Sequence, residues 1–351
     1  IPKNPIKFGI YISKFHKKHV FSALACVVTA SLLGSRVTLL VLKNLTDSLA
    51  GNVVDFNGIW TWAIAYALIF VTTENIWRAS GFFGMRWFMN FRFSAYEALY
   101  EYLTLHSKDY FNSRFAGSLA NKIAHAVDGT EALFEKILWN FIPLFISLLW
   151  YVVYSWIINS ILGVIVTIWT ILFLGLNYWF SKKLRPKSMK FADALSTLKG
   201  RIVDSLSNIS LVHEYSHVAG ERNYIKDFVK EQHDTGLDHW QLSEFMLLAN
   251  GILLFIFMLI FLSSSIILFQ NSIVSAGIII VVISIIKDLS DRMLFLGQEI
   301  RDAGKFFGEA QEGLEEILKE HIIIDSDDAK PLAFEGGNVL MKSISFDYEN
   351  T

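Results

Sequence analysis

Arg36, Lys43, Glu74 and Arg78 are the residues of this chain whose placement calls for chemistry, because each is an ionisable side chain set in otherwise apolar sequence. A charge at the centre of a bilayer helix costs about 2.5–3.5 kcal/mol. Such residues therefore face one another, a partner or a water-filled cavity. The stretch free of Lys and Arg between Lys43 and Arg78 is short for two spans and a turn, which puts some of these charges at membrane depth. Folded as a hairpin about Val54, the stretch brings Arg36 and Glu74 to similar depth. Two readings stand: an ion pair tying two helices together, and a cationic cavity surface for an anionic lipid headgroup or amphiphile.

Other chemistry is thin. The sequence contains no H-E-x-x-H, no G-x-S-x-G and no G-x-x-x-x-G-K-[ST]. No catalytic residue and no metal-ligand set is assigned within it. His106, His125, His213, His217, His233 and His239 are scattered along charged stretches and read as solvated helix histidines. Cys26 is the single cysteine, which excludes an intrachain disulfide or a cysteine-based metal site. The formal net charge of −2 offers no bulk basic field for nucleic acid.

The elements that must position these residues follow from the charge map. Residues 137–181 and 245–286 carry no charged residue at all, and hydrophobic residues make up 53% of the chain. A span needs about 20 apolar residues, so each stretch suits two helices joined by a tight turn. Lys and Arg cluster between the three long gaps that lack them. By the bias of basic residues toward the cytoplasm, each gap is one outward excursion, giving six helices with both termini cytoplasmic. Their expected bounds are 18–49, 58–105, 118–157, 161–210, 221–269 and 273–320, with Pro143 kinking the third. Outer turns fall at 50–57, 158–160 and 270–272. A 48-residue helix is about 72 Å long, against a hydrocarbon core of about 30 Å. The excess, which carries the charges, is expected to project into the cytoplasm as stalks.

Residues 5–18 intersperse Ile6, Ile10 and Phe15 with Lys7, Lys14 and Lys17, the pattern of a short helix lying on the inner leaflet. Residues 2–18 do not read as a cleavable signal, and the natural chain is expected to extend beyond both ends. Several of the tryptophans sit where interfacial belts would be. Beyond Glu320 the period changes: residues 321–337 read as a linker, and Ile344, Phe346 and Tyr348 alternate with Ser343, Ser345 and Asp347 as in a half-buried strand.

Three segments together resemble the transmembrane half of an ABC exporter. The run Tyr110-Phe111-Asn112-Ser113-Arg114-Phe115-Ala116-Gly117-Ser118-Leu119, with Asp128 beyond it, resembles that family's first intracellular loop. The run from Leu206 through Val212, His213, Glu214 and Tyr215, with Glu221 and Phe228, resembles the second. Residues 337–348 resemble the opening strand of a nucleotide-binding domain. Asn121, Lys122, Asn208 and His213 depart from the family's usual residues.

The resemblance implies an all-α membrane protein of six long helices with cytoplasmic extensions and coupling helices. Residues 1–320 would form the transmembrane domain, 321–337 a linker and 338–351 the first strand of a truncated nucleotide-binding domain. It implies coupling contacts from Tyr110, Phe111, Arg114, Glu214, Tyr215 and Glu221, with coupling helices near 110–116 and 215–220. It implies adenine stacking by Tyr348, ATP and Mg2+ bound by the intact protein and not by this segment alone, and a second half-transporter, as a homodimer. The substrate would be a lipid, a drug-like amphiphile or a peptide, and the site a bacterial inner membrane. The alternative from another class is an ATPase-free permease of the same fold, driven by an ion gradient through an acid such as Glu74.

Overall fold

The computed structural model describes residues 1–50, 55–112, 114, 116–322, 336–337 and 340–345; the side chains of Ser35, Arg36, Leu294 and Phe295 lie outside that description. Among the described residues the chain is helical and contains no strand. A short helix α1 (Pro5–Ser13) leads through one 3-10 turn into α2 (Lys17–Leu32), a π-helical turn at Leu33–Val37, and α3 (Thr38–Ala50). There follow α4 (Phe56–Thr104), α5 (Lys108–Asn112) and α6 (Ala116–Lys136). A second π-helical turn at Ile137–Phe141 runs into α7 (Ile142–Ile158). Then come α8 (Ser160–Ser207), α9 (Ile209–Glu214), α10 (Val218–Gln270) and α11 (Ala276–Ile317).

The six expected helices therefore appear as six long helical runs with ends within a few residues of those expected. Four runs, Phe56–Thr104, Ala116–Ile158, Ser160–Ser207 and Val218–Gln270, are long and apolar enough to cross a membrane. The 53 residues of α10 extend about 80 Å. The disturbance expected at Pro143 takes the form of the π-helical turn just before it, and Pro143 occupies one of the first two positions of α7, where its missing N–H costs least.

Local chemistry sets the ends. The Asp55 carboxylate accepts from Gly58 N at 3.0 Å and starts α4. Asn159 alone reverses the chain between α7 and α8. It is extended, its N–H closes α7 on the Ser155 carbonyl, and its side chain accepts from Ile161 N at 2.9 Å.

Two cores hold the helices together, and α11 belongs to both. One gathers Phe8 and Ile12 of α1 with Phe88, Phe91 and Leu99 of α4, Ala126 of α6, and Leu314 and Ile317 of α11. The other joins Leu39, Tyr151, Trp169, Phe257 and Phe261 to residues 278–296 of α11. Inside the second, Asn177 of α8 and Asn250 of α10 exchange two amide hydrogen bonds of 3.0 and 3.1 Å. Helices α6 and α11 approach backbone to backbone: a Cβ on Gly129 would lie 2.7 Å from the Phe306 carbonyl oxygen, and one on Gly313 would be closer still to that of Lys122.

The α1 helix packs one face, Phe8 and Ile12, into the protein, while Ile6, Ile10 and Phe15 are exposed beside the lysines. The strand expected at 344–348 falls mainly on residues outside the described ones, and the described stretch 340–345 is irregular and exposed.

Candidate functional site at the two ends of the last helix

Every helix ends with four carbonyls that lack an intrahelical donor. At the carboxy-terminal end of α11 the side chains of α4, α5 and the elbow between them supply donors. The Tyr110 hydroxyl donates to the Glu316 carbonyl at 3.0 Å, and the Tyr102 hydroxyl to the Lys319 carbonyl at 2.9 Å. A ring nitrogen of His106, Nε2, lies 3.1 Å from the Ile317 carbonyl, so that nitrogen carries the proton. The His106 ring stacks on Tyr110 at 3.9 Å, and His321 closes over both His106 and Tyr102 at 4.5 and 4.3 Å.

Charge reinforces this cap. Arg114 Nε meets Glu316 Oε1 at 2.6 Å, its Nη1 donates to the Tyr110 carbonyl at 3.1 Å, and its guanidinium lies 4.0 Å from the Tyr110 ring centre. Lys319 adds a second contact to Glu316 at 2.7 Å. The hydrogen bond from Lys319, helped by Arg114, holds the Glu316 carboxyl below its usual range although burial opposes it. Burial pushes the Tyr110 phenol up and the His106 imidazole down. Above this cap, Lys122 pairs with Glu312, and Lys136 with Glu299 and Asp302, so α6 is riveted along α11. Asp128, picked out beside the first loop, pairs with Arg92 of α4 at 2.9 Å.

The opposite end of α11 is held from α3. The Asp47 carboxylate accepts from Gly277 N and from the Ser275 hydroxyl, both at 2.8 Å, and pairs with Lys43 at 2.9 Å. A Cβ on Gly277 would run into the Lys43 carbonyl oxygen, so glycine is what permits this approach. Asp47 is thus an N-terminal cap supplied from another helix, with charge of the sign that end favours.

The expected site residues divide accordingly. Tyr110 and Arg114 are engaged within the chain, on α11. Phe111 is partly exposed, and Tyr215 is 76% exposed. Short helices stand at both loops, Lys108–Asn112 and Ile209–Glu214. The second precedes the expected 215–220, where the chain instead turns through Ser216 (φ 50°) and enters α10 at Val218. Glu214 closes α9 and Glu221 lies in the first turn of α10.

Lys43 is bound to Asp47. Glu74 and Arg78 lie one turn apart on an exposed face of α4, 3.9 Å from each other. Arg36 sits in the π-helical turn, where Gly34 backs onto the Thr73 methyl of α4. The Arg36 side chain, and with it the expected Arg36–Glu74 pair, lies outside the described residues, as does Tyr348. An open apolar groove of about 630 Å³ between α4 and α6, lined by Phe93, Tyr96, Glu97, Tyr100, Ala120 and Ile123, lies about 30 Å along α4 from Glu74.

Sequence reasoning missed His106 and His239, which are buried at 8% and 7% exposure rather than solvated. Burial pushes the imidazole of His239 down as well, assisted by Arg301. A signal for His106 was present: Tyr102, His106 and Tyr110 recur every four residues, although α4 ends at Thr104 and it is the elbow before α5, not one continuous helical face, that brings the rings together.

The family model for the ABC transporter transmembrane region matches residues 21–293. A protein of Haemophilus influenzae (strain ATCC 51907 / DSM 11121 / KW20 / Rd), named as an uncharacterized ABC transporter ATP-binding protein, is 29% identical over 192 residues. That match takes in 52% of this chain and 30% of the relative, so the chain spans about 30% of the length of the relative it matches.

Proposed function

The chain belongs to the family of ABC transporter transmembrane regions, and from that premise we propose that it is the membrane half of an ATP-driven exporter. It is an integral membrane protein that works with nucleotide-binding domains. In this reading all six helical runs span the membrane, both termini are cytoplasmic, and two copies enclose the path of a lipid, an amphiphile or a peptide.

The observation that carries the reading is the cap on α11. A helix that leads toward residue 320 is tied, through Tyr110, His106 and Arg114, to the short helix α5. A domain following the linker and a domain docked on α5 would both push on that one junction. Movement there would travel up α11 to Asp47, where α3 and α11 must part for an outward opening. Phe111, Leu211 and Tyr215, all exposed at the tips of the stalks, are the side chains this reading assigns to docking.

The residues present do not fit ATP, since the sequence has no phosphate-binding loop. In the intact protein the phosphates and Mg2+ would be held by residues outside this segment, with Tyr348 contributing the adenine stack. That the relative from Haemophilus influenzae is named an ABC transporter ATP-binding protein supports ATP binding by the intact protein. Vanadate-sensitive, substrate-stimulated ATPase of the intact protein in liposomes tests the reading. Absence of hydrolysis with uptake that follows a proton gradient would replace it by the ATPase-free permease.

A further inference from the structure

Several charges near the membrane boundary are neutralised. Lys136 pairs with Glu299 and Asp302, Lys287 with Asp291, and Arg292 with Asp288. Helix α8 differs. Just beyond its charge-free stretch it carries Lys182, Lys183, Arg185, Lys187 and Lys190, with no acid before Asp193. Lys187 pairs with Asp238 of α10. Lys182, Lys183 and Arg185 are exposed and take part in no ion pair among the described residues.

The surface that leads to these cations is continuous. Ile171, Tyr178, Lys182 and Arg185 follow one another at seven, four and three residues, which places them on one face of the helix. Ile171 is 64% exposed and Tyr178 is 74% exposed. Between them Gly175 has open space where a side chain would stand. From Ile171 to Lys182 is about 16 Å along the axis, the depth of one leaflet of a core of about 30 Å. Beside this stripe, Lys183 Nζ lies 3.9 Å over the ring of Trp179, an aromatic–cation pair of the kind that sits at a headgroup boundary.

We propose that this face of α8 binds an anionic phospholipid, with its phosphate between Lys182 and Arg185 and an acyl chain along Tyr178 and Ile171. The dimensions and the order of chemistry, apolar for one leaflet and then cationic, match that occupant, and a cluster of cations just past a span is what anionic headgroups select. The inference rests on the chain spanning a membrane and not on what it transports.

The test uses the intact transporter in nanodiscs of phosphatidylcholine and phosphatidylglycerol in equal parts, followed by native mass spectrometry of the lipids that stay bound. The wild type is expected to retain phosphatidylglycerol preferentially. The double variant Lys182→Gln, Arg185→Gln should lose that enrichment by about tenfold, while Lys226→Gln, Lys230→Gln, exposed far down the α10 stalk, should keep it. Unchanged enrichment in the first variant, or an equal loss in both, overturns the proposal. So does conversion of dimer to monomer without any change in bound lipid, which would assign the face to a second copy. ATPase measured on the same samples reports separately on the exporter reading, so one can fail without the other.

Discussion

Arg114 and Glu316, 202 positions apart in the chain, meet at 2.6 Å and join the first inner loop to the end of the last helix. Each side chain is about three-quarters buried, and Arg114 also holds the Tyr110 carbonyl and ring. The contact is therefore part of a network rather than a solitary surface pair, and networks are where such pairs contribute measurably.

A double-mutant cycle with Arg114→Ala and Glu316→Gln should give a coupling of about 1 kcal/mol in detergent unfolding. Strict additivity of the two single changes would mean that the pair contributes nothing.

The cap should be sensitive to acid. Burial holds His106 below the free value of about 6.5, so on acidification the unfolded chain takes up its proton first. The stability this group contributes is full above about 6.5 and is lost as pH falls through the lower folded value. His321, Arg114, Glu316, Tyr102 and Tyr110 face it; Arg114 disfavours its charging further, and Glu316 opposes that. Wild type should unfold more easily at about pH 5.5 than at about pH 7.5. His106→Phe should start about 1 kcal/mol lower and show a weaker dependence. A variant with the same slope as wild type would assign the acid sensitivity elsewhere.

Asp47→Ala removes a cap and leaves Lys43 without its partner, and is expected to cost about 1–2 kcal/mol. Lys43→Met should cost less, because the bonds from Gly277 N and Ser275 to Asp47 survive. Chemical denaturation of both variants decides the order, and the reverse order would make the ion pair, not the cap, the element that holds α3 to α11.

Two glycines of α11 should respond in opposite directions to the same change. Gly313→Ala forces apart the backbones of α6 and α11 and should destabilise by about 1–3 kcal/mol. Gly308→Ala, with open space around it, should stabilise by about 0.5–1 kcal/mol through helix propensity. Equal melting shifts would refute the close approach.

In the intact transporter, Tyr215→Ala should leave unfolding unchanged, since the ring is 76% exposed, yet lower substrate-stimulated ATPase. Unaltered stimulation would remove Tyr215 from the coupling surface.

The positions of the long helices were legible in the sequence because absence of charge over forty-odd residues is a property of the chain alone, set by the cost of burying ions in hydrocarbon. The turns about Asn159 and Asp55 were legible from their Gly, Asn, Asp and Ser content, and the structure uses both residues as caps, contacts made within three residues. What Tyr110, Arg114, His106 and Lys43 touch was not legible. For the first three the partner stands on α11 and is met only after the bundle has closed, and periodicity does not say which distant carbonyl or carboxylate will stand opposite, whereas Lys43 meets Asp47 one turn along its own helix. His106 and His239 look like any stalk histidine in sequence, and burial, a property of the neighbours rather than of the residue, changes what they are. The sequence by itself determined how many times the chain runs along its long axis and where it turns, since local hydrophobicity and capping control both. Only the tertiary structure decided that α11 is held at both ends by the first half of the chain, because that depends on which helix ends, with their unpaired N–H and C=O groups, packing brings together.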